Sequence, residues 1–352
     1  MSKGVLRLQE ILELQKKIVP ELIDVLDKRY IILRTIYYKQ PIGRRALALD
    51  LSLSERIVRN EINFLKSRGL IDIHTSGMSV TALGEILVNK LKKYIYELRG
   101  LSEIEDKVKE LLNVKKVIIV PGNADENPTV LKELGKACSN CLKDIIKDND
   151  IIAITGGTTI KEVVEAFQKT SDYHNILVVP ARGGMGGKVE TQANMLVAIF
   201  ADKIKGDYKM LHIPENISND VLDDLLKERN IKEVIDCVHK ADILLYGIGR
   251  AIDMAKKRGA SEEELEELAS LGAVGESIGS YFDSNSNILY KSASIGISIE
   301  EVRKVKINIA VAAGKLKASS VISTQLNNRN GILVTDEALG KEIIKILENT
   351  ND

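Results

Sequence analysis

The sequence predicts an α/β protein in which a small helical module precedes a larger domain built on a parallel sheet. The 352 residues correspond to two or three folding units at about 100–200 residues each. From residue 116 onward, short apolar runs alternate with helical patterns, which is typical of a parallel sheet covered on both faces. Residues 1–99 carry 18 Lys and Arg against 11 Asp and Glu, whereas residues 100–352 carry 32 against 39. This asymmetry indicates a front module that meets a polyanion, although solvated helix faces alone can produce such a bias.

The composition excludes several classes of protein. Hydrophobic residues are 44% and charged residues 28% of the chain, which excludes wholesale disorder and a fibrous repeat. No apolar run reaches the roughly 18–20 residues of a membrane helix, and the N-terminus is too charged for a secretory signal. Aromatic residues are only 4%, which leaves few platforms for stacking bases or sugar rings. Three cysteines do not make a disulfide framework, so we expect a cytoplasmic protein without a membrane partner.

Residues 1–84 predict helices followed by a hairpin. Helical spacing of apolar residues runs from Leu6 to Tyr38, and Pro20 is expected to start a second helix there. A helix of about two turns opens after Pro41. Its inward residues are Ala46, Leu47 and Leu51. Ser54 is a good N-cap for the next helix. The apolar face of that helix is Ile57, Val58, Ile62 and Leu65, before Gly69 ends it.

A short hairpin on either side of Ser76 and Gly77 completes the order helix, turn, helix, hairpin. This is the order of a winged helix-turn-helix. The polar face of the helix after Ser54 presents arginine and asparagine, side chains that pair with guanine and adenine in the major groove. We therefore expect double-stranded operator DNA as a partner. The candidate DNA-binding residues are Arg44, Arg45, Ser54, Arg56, Arg59, Asn60, Asn63 and Lys66.

Residues 85–114 predict a helical linker with a heptad seam. The seam consists of Leu87, Leu91, Tyr94, Leu98, Leu101, Val108 and Leu112, with Glu105 as its polar interruption. A dimerising coiled coil is one interpretation of the seam, and an amphipathic helix packed on its own domain is the other. Gly100 weakens the case for a continuous rod. We favour dimerisation, and expect a homodimer in solution or a homotetramer on DNA.

Residues 115–352 predict an effector-binding domain with a parallel sheet. In such sheets the ligand lies beyond the carboxyl ends of the strands. A helix is expected at 251–269 and an irregular hairpin at 273–296. The segments to inspect for a site are those that follow strands, namely Thr155–Thr159, Ala181–Gly187, Gly247–Arg250 and Ala313–Lys317.

The turn ITGGTTI is suited to a phosphate. Gly156 and Gly157 let backbone N–H groups converge, Thr158 and Thr159 add hydroxyl donors, and the following helix contributes its positive N-terminus. The alternative is a tight βα turn capped by threonine, which has nearly equal weight for this motif alone. A nucleotide pyrophosphate is less favoured, because the pattern is not G-x-G-x-x-G.

Three further segments supply groups for an anionic ligand. PARGGMGG places Arg182 ahead of four glycines, where its guanidinium could fork onto a second phosphate or a carboxylate. A solvated arginine on a flexible loop is the alternative. AAGKLKAS supplies Lys315 and Lys317, and GAVGESIGSYF supplies the carboxylate Glu276, which could bind a sugar hydroxyl.

No catalytic arrangement is visible in the sequence. Cys138 and Cys141 form a single CxxC without a second pair or a nearby histidine, so zinc is disfavoured. We expect them, and Cys237, to be half-buried packing residues. The four histidines lie outside the glycine-rich loops, and no nucleophile and base pair stands out. A phosphate pocket without an acid and base pair is more typical of a sensor than of an enzyme.

These motifs together resemble a known family. QPIGRRALA and SERIVRNE, followed by AITGGTTI, VPARGGMGG, TQANM and AAGKLKASS, are similar to the SorC family of sugar-responsive repressors over roughly the whole chain. The resemblance implies a winged helix-turn-helix joined to a Rossmann-like effector domain that resembles glucosamine-6-phosphate deaminase and ribose-5-phosphate isomerase. It also implies repression of a glycolytic operon, relieved by fructose-1,6-bisphosphate, with no other cofactor and no metal.

The resemblance also implies roles for particular residues. Met185 would close over the sugar, and the late loop departs from the family pattern at Lys315 and Leu316, where small hydroxyl residues are expected. The implied effector-binding residues are Thr155, Gly156, Gly157, Thr158, Thr159, Arg182, Gly183, Gly184, Met185, Gln192, Lys257, Glu276 and Lys317. The alternative function is a sugar-phosphate isomerase or deaminase with an appended DNA-binding module. Such deaminases are expected to need a histidine and carboxylate set, and these loops contain no histidine.

Overall fold

The chain divides into two compact units. The structure, a computed structural model, describes residues 15, 17–183, 188–213, 221, 224–292 and 295–349. The N-terminal unit reaches Glu103 and includes Glu126–Thr129, and the C-terminal unit comprises Ile104–Asp125 and the chain from Val130. In the part of the chain that is described, no helix has the length and apolarity to cross a membrane.

The N-terminal unit contains four helices and one hairpin among its described residues. Its elements are α1 Pro20–Lys39, α2 Arg44–Asp50, α3 Glu55–Ser67, β1 Ile71–His74, β2 Gly77–Val80 and α4 Ala82–Leu98. Pro20 occupies the first turn of α1, where its missing N–H costs nothing. The Ser54 hydroxyl accepts the N–H of Ile57 at 3.3 Å and so caps α3. The predicted start of α1, the cap of α3 and the hairpin are confirmed, while the expected helical stretch before residue 15 lies outside the described residues.

The core of this unit differs from expectation at two positions. Leu47, Val58, Ile62 and Leu65 are buried as predicted, but Ala46 and Ile57 are exposed. In the seven-residue α2, Leu47 and Ala48 form the inward face, and Leu51 beyond its end is partly buried. In α3 the apolar stripe is narrow because the buried carboxylate of Glu61 occupies part of that side. Glu61 pairs with Lys28 at 3.0 Å and with Arg29 at 2.9 Å.

The predicted heptad seam is divided between two helices. The chain turns at Gly100, where φ is +60°, and the second helix, α5, spans Leu101–Leu112. Leu98 packs with Tyr30 and Ile95 inside the N-terminal unit. The seam is therefore not one continuous helix, in agreement with the expectation drawn from Gly100, because this glycine takes up the left-handed conformation that ends α4. Dimerisation through these residues stays a prediction.

The polar position in the seam has a structural explanation. In α5, one Glu105 carboxylate oxygen accepts the backbone N–H of Ile119 at 2.6 Å. Ile119 belongs to an edge strand of the large sheet, where outward N–H groups lack a neighbouring strand. Glu105 therefore satisfies a strand edge, which a leucine at that heptad position could not do.

The C-terminal unit is built on a seven-stranded parallel sheet. Its strands are β3 Lys116–Val120, β4 Ile151–Ile154, β5 Leu177–Pro180, β6 Asp207–Tyr208, β7 Ile243–Gly247, β12 Ile307–Val311 and β13 Gly331–Asp336, in the order β3-β13-β12-β7-β4-β5-β6. Its main helices are α6 Thr129–Ile145, α7 Thr158–Ala166, α8 Ala193–Ile204, α9 Arg229–His239, α10 Ala251–Lys257, α11 Glu262–Ser270, α12 Ile299–Val302, α13 Ala318–Gln325 and α14 Glu337–Asn349. Most of the apolar strands and helices predicted from the sequence are found here.

Three elements of this unit depart from prediction. The apolar run YKMLHIP at 208–214 predicts a strand, but only the two-residue β6 is found there among the described residues, and the sequence did not predict α9. The expected helix 251–269 is two helices, because Gly259 has φ of +78° and Ser261 starts α11 with a capping box to Glu264. The hairpin-like segment forms a small antiparallel sheet. Its strands are β8 Gly249–Arg250, β9 Gly275–Ser277, β10 Ser280–Phe282 and β11 Ile288–Lys291.

The strand order contains a switch point. After β4 the chain continues to β5 on one side of the sheet, whereas after β7 it continues to β12 on the other side. The two adjacent strands β4 and β7 therefore send their loops in opposite directions, which opens a crevice at their carboxyl ends.

Candidate functional site

A cavity of about 610 Å³ lies at this switch point. Its walls come from the loops that follow β3, β4, β5, β7 and β12, together with the turn between β9 and β10. The volume falls within the range of about 300–1,000 Å³ typical of small-molecule sites.

The loop after β4 is held rigidly. The Thr155 N–H donates to Leu245 O at 3.0 Å, and its hydroxyl accepts the Gly247 N–H at 3.4 Å. A Cβ on Gly156 would lie 2.7 Å from Thr191 O, and Gly157 has φ of +125°. Only glycines therefore permit this path, which delivers the chain to the N-terminus of α7. The first N–H groups of α7 have no acceptor within the helix, so at the cavity wall they are donors of the kind that suits an anion.

Arg182 is a buried cation rather than a solvated one. Its side chain follows β5 and the residue is only 8% exposed. One guanidinium nitrogen donates to the Ser292 hydroxyl at 3.3 Å, and the guanidinium lies against Gly279, where a Cβ would collide with it. The next residue, Gly183, donates its N–H to Ile295 O at 2.9 Å. Gly184 and Met185 lie outside the described residues.

Lys317 and Lys257 also line the cavity. Lys317 follows β12 and Lys257 is the last residue of α10, whereas Arg182 follows β5. Burial lowers the pKa of the Lys317 ammonium, and the positive charge of Lys257 lowers it further. The carboxylates of Asp125 and Asp336 oppose that shift. Both lysines line the same cavity, and each charge disfavours the other.

Asp336 organises the loops at this end of the sheet. Its buried carboxylate accepts the N–H groups of Ala124 at 2.7 Å, Gly314 at 3.0 Å and Leu339 at 3.0 Å. These donors follow β3, β12 and β13. Burial raises the pKa of Asp336 although the three donors oppose the change. The loop that carries Lys317 is thus held by two carboxylates, because Asp125 also accepts the Leu316 N–H at 3.1 Å.

The cavity is cationic overall. Among its described lining residues, the cations are Arg182, Lys188, Arg250, Lys257, Arg258 and Lys317, and the carboxylates are Asp125, Asp253 and Glu276. The excess of positive charge favours an anionic ligand, and the carboxylates leave acceptors for hydroxyl groups.

The structure brings most of the predicted effector residues together. Thr155–Thr159, Arg182, Gly183, Gln192, Lys257, Glu276 and Lys317 all line the cavity. Lys315 points elsewhere and pairs with Glu342 at 3.3 Å. Sequence reasoning missed Lys188, Arg250 and Arg258. Arg250 lies in the segment after β7, so the expectation that ligands bind beyond the carboxyl ends of the strands could have identified it. Arg258 follows a helix, and no sequence motif pointed to it.

The cysteines are more deeply buried than expected. Cys138 and Cys141 belong to the apolar core of the C-terminal unit, and only Cys237 is half-buried. Burial raises the pKa of the Cys138 thiol well above its ordinary value and also raises that of Cys141. They pack in the core because α6 faces the sheet with that side. No cluster of three metal-binding side chains occurs among the residues that the structure describes.

The N-terminal unit presents a basic helix face. Arg56, Arg59, Asn60, Asn63 and Lys66 are all exposed on α3, and Arg44 and Arg45 are exposed on α2. Arg45 is 3.8 Å from Glu55, while Ser54 acts as the cap of α3. The face opposite the buried stripe is thus open to a ligand.

Two family models match the chain. The model described as "CggR N-terminal DNA binding domain" matches residues 25–95. The model described as "Putative sugar-binding domain" matches residues 96–345, more than half of the chain.

Relatives and solved structures are similar over most of the length. A central glycolytic genes regulator of Bacillus subtilis is 38% identical over 338 residues, which cover 96% of this chain and 99% of the relative. One from Priestia megaterium is 37% identical over 339 residues with the same coverage. The crystal structure of a "putative SorC family transcriptional regulator" from Enterococcus faecalis is 33% identical, with a TM-score of 0.64 over 69% of this chain and 99% of that chain. The sorbitol operon regulator of Klebsiella pneumoniae, at 17% identity, shares the fold, with a TM-score of 0.63 over 90% of this chain and 97% of that chain.

Proposed function

Because the chain belongs to the family of sugar-binding transcriptional regulators that includes the central glycolytic genes regulators, we propose that it represses a glycolytic operon and that fructose-1,6-bisphosphate releases it from DNA. The observation that carries this proposal is a cationic cavity at the sheet switch point in a chain that also presents an exposed basic helix. The first feature suits a phosphorylated sugar, and the second suits a nucleic acid.

The DNA-binding part of the proposal is a winged helix-turn-helix. In it α2 and α3 form the helix pair, α3 enters the major groove, and the β1–β2 hairpin is the wing. Arg59 and Asn60 are exposed near the middle of α3, where they would meet base edges. A homodimer or homotetramer would bind half-sites separated by multiples of about 10–10.5 base pairs.

The effector part of the proposal assigns two phosphate subsites. One is the N-terminus of α7 with Thr158, Thr159 and Arg182, and the other is the pair Lys257 and Lys317. Gln192 and Glu276 line the same cavity and are the proposed partners of the sugar hydroxyls. A bisphosphate would satisfy both subsites, so it should bind more tightly than a monophosphate.

The proposed effector domain is Rossmann-like and of the type found in glucosamine-6-phosphate deaminase and ribose-5-phosphate isomerase. The described lining residues include no histidine, and Glu276 is engaged by Arg258 rather than placed for proton transfer. We propose that the site binds its ligand without turnover. Conversion of any aldose or ketose phosphate by the purified protein would favour the enzyme alternative.

The test begins with an operator selected in vitro from upstream regions of glycolytic genes. Fluorescence anisotropy then follows release of the purified protein from that operator by fructose-1,6-bisphosphate and by fructose-6-phosphate. We expect the bisphosphate to act at a lower concentration. Lys257→Ala should weaken this response about tenfold or more, as for a lost charged hydrogen bond. Lys256→Ala is the matched control, because Lys256 is exposed on the same helix and does not line the cavity.

Two results would refute the proposal. One is an operator complex that neither sugar phosphate weakens. The other is an equal response of the Lys257 and Lys256 variants, which would place the ligand outside this cavity.

A further inference from the structure

A buried ion pair forms one wall of the cavity. Arg258, the C-cap of α10, donates from Nη2 to Oε1 of Glu276 in β9 at 2.8 Å. Their side chains are only 8% and 4% exposed. The N–H of Gly279 donates to the same oxygen, Oε1, at 2.7 Å.

Both donors bond to Oε1, so the second carboxylate oxygen, Oε2, is left for other partners. Within the described residues, Oε2 of Glu276 accepts no hydrogen bond, and Glu276 lines the cavity. The neighbouring lining groups Lys257, Lys317 and Arg182 are donors. Oε2 is therefore suited to accept a hydroxyl hydrogen from a ligand whose phosphates bind those cations.

Arg258 is itself held in place from behind. Its Nη1 donates to the Tyr281 hydroxyl at 3.0 Å, and the guanidinium carbon lies 5.8 Å from the centre of the Tyr281 ring. Tyr281 is buried in the small apolar cluster of α10 and α11. Both terminal nitrogens of the guanidinium thus bond to protein groups, and Arg258 can act on a ligand through Glu276 without contacting it.

Without Arg258, other cations in the cavity would be able to pair with the Glu276 carboxylate. Lys257, Lys317 and Arg182 share the cavity, and a carboxylate that turned to one of them would occupy a cation that a phosphate needs. From this geometry we infer that Arg258 is a positioning residue that makes the cavity selective for phosphate esters bearing free hydroxyl groups over plain polyanions of the same length. The inference rests on the proposed function and narrows its ligand class.

The test compares two bisphosphates in the full-length protein by isothermal titration calorimetry. They are fructose-1,6-bisphosphate and hexane-1,6-diyl bisphosphate, which has similar reach and no hydroxyl group. Wild type should prefer the sugar. In Arg258→Met that preference should fall about tenfold or more, as expected for a lost hydrogen bond to a charged group. Arg250→Met is the matched control, because Arg250 lines the cavity and pairs with Asp253 instead of Glu276. It should lower both affinities and leave their ratio unchanged.

A double-mutant cycle separates this role from a structural one. Glu276→Gln should lower the preference to the same extent, and Arg258→Met should lower it no further in that background. Arg258→Lys keeps one donor and should restore part of the preference. Tyr281→Phe removes only the hydroxyl that accepts from Arg258 and should lower the preference by a smaller factor. This variant provides the test if Arg258→Met does not fold.

An unchanged preference in Arg258→Met, or in Tyr281→Phe if the former does not fold, would overturn the inference. So would an equal loss of affinity for both ligands, which a merely structural residue would produce. A wild-type protein that binds neither bisphosphate would instead refute the proposed function. A wild-type protein that binds both equally would refute only the inference.

Discussion

Lys317 is the residue at which burial and ligand binding oppose each other most directly. Burial and the charge of Lys257 both favour its neutral form, so its pKa in the free protein lies below the ordinary value. A bound phosphate would favour the charged form and raise that pKa again. Affinity should therefore be constant below the free-state pKa and fall as the pH rises through it.

This sign gives a pH prediction. Between pH 7 and 10, affinity for fructose-1,6-bisphosphate should begin to fall at a lower pH than it would if the Lys317 pKa were unperturbed. The slope should be at most about one logarithmic unit of affinity per pH unit, because one proton is involved. Lys317→Arg should move the decline to higher pH, because arginine stays charged. Calorimetric titrations of both proteins measure the difference. Superimposable pH profiles would mean that Lys317 does not contact the ligand.

Sequence reasoning at the residue scale succeeded where a property is local. Gly156 and Gly157 were identified because a strand, a glycine turn and a helix are adjacent in the chain, and both glycines line the cavity. Arg258 was missed because its partners are Glu276 and Tyr281, which are brought to it by antiparallel strands with no clear periodicity. The burial of Arg182 depends on Gly279, some hundred residues away, and no local pattern could reveal it.

At the scale of single elements, the proposed recognition of DNA depends on α3. Arg29 and Lys28 of α1 hold Glu61, and the Arg29 guanidinium lies 3.5 Å from the centre of the Phe64 ring. These contacts fix the helix on its scaffold and leave Arg59 outward.

We predict that Arg59→Ala weakens operator binding by about 1–3 kcal/mol and reduces sequence discrimination, since a forked contact to a base is lost. Lys66→Ala should instead reduce the dependence of affinity on salt while leaving discrimination intact. Anisotropy titrations on operator and scrambled DNA at several salt concentrations distinguish the two. Wild-type operator affinity after joint replacement of Arg56, Arg59 and Asn60 would contradict the assignment of α3.

The loops at the sheet edge depend in a similar way on Asp336. Asp336→Asn replaces one accepting oxygen by an amide group, so at least one of its backbone donors must lose its partner. We predict a loss of about 1–3 kcal/mol in the free energy of unfolding of the C-terminal unit, together with weaker ligand binding. Urea unfolding measures the first effect, and calorimetry the second. Asp202→Asn serves as the control, because Asp202 is exposed and pairs with Lys169 on the surface. Equal stability of both variants would show that the loops are held by other contacts.

The whole molecule combines two opposite electrostatic surfaces. Residues 100–352 carry an excess of acidic side chains, whereas the cavity within that part has an excess of cations among its described lining residues. This distribution suits the proposed function, in which the cationic cavity and the basic front segment each bind an anion while the acidic excess disfavours non-specific attraction to DNA.

If the cavity and the operator site are coupled, the coupling must be reciprocal. A ligand that weakens operator binding by about 1–3 kcal/mol must itself bind the operator complex more weakly by the same amount. We predict that Thr158→Val, which removes a hydroxyl donor at nearly constant volume, still binds operator but responds poorly to fructose-1,6-bisphosphate. Thr170→Val is the control, because the Thr170 hydroxyl bonds to Asp172 outside the cavity. Normal release of the Thr158 variant from operator would exclude Thr158 from the phosphate subsite.

The position of β13 in the sheet sets an order of assembly during synthesis. This strand, Gly331–Asp336, lies between β3 and β12, so the sheet cannot close until it has left the ribosome. The N-terminal unit has its own apolar cores, and its last element α4 ends at Leu98. At roughly 5–20 residues per second, about 10–50 s separate the synthesis of those two points. The DNA-binding unit is thus available for folding well before the sugar-binding unit. A chain terminated near residue 330 would then be expected to bind operator DNA without being released by the sugar phosphate.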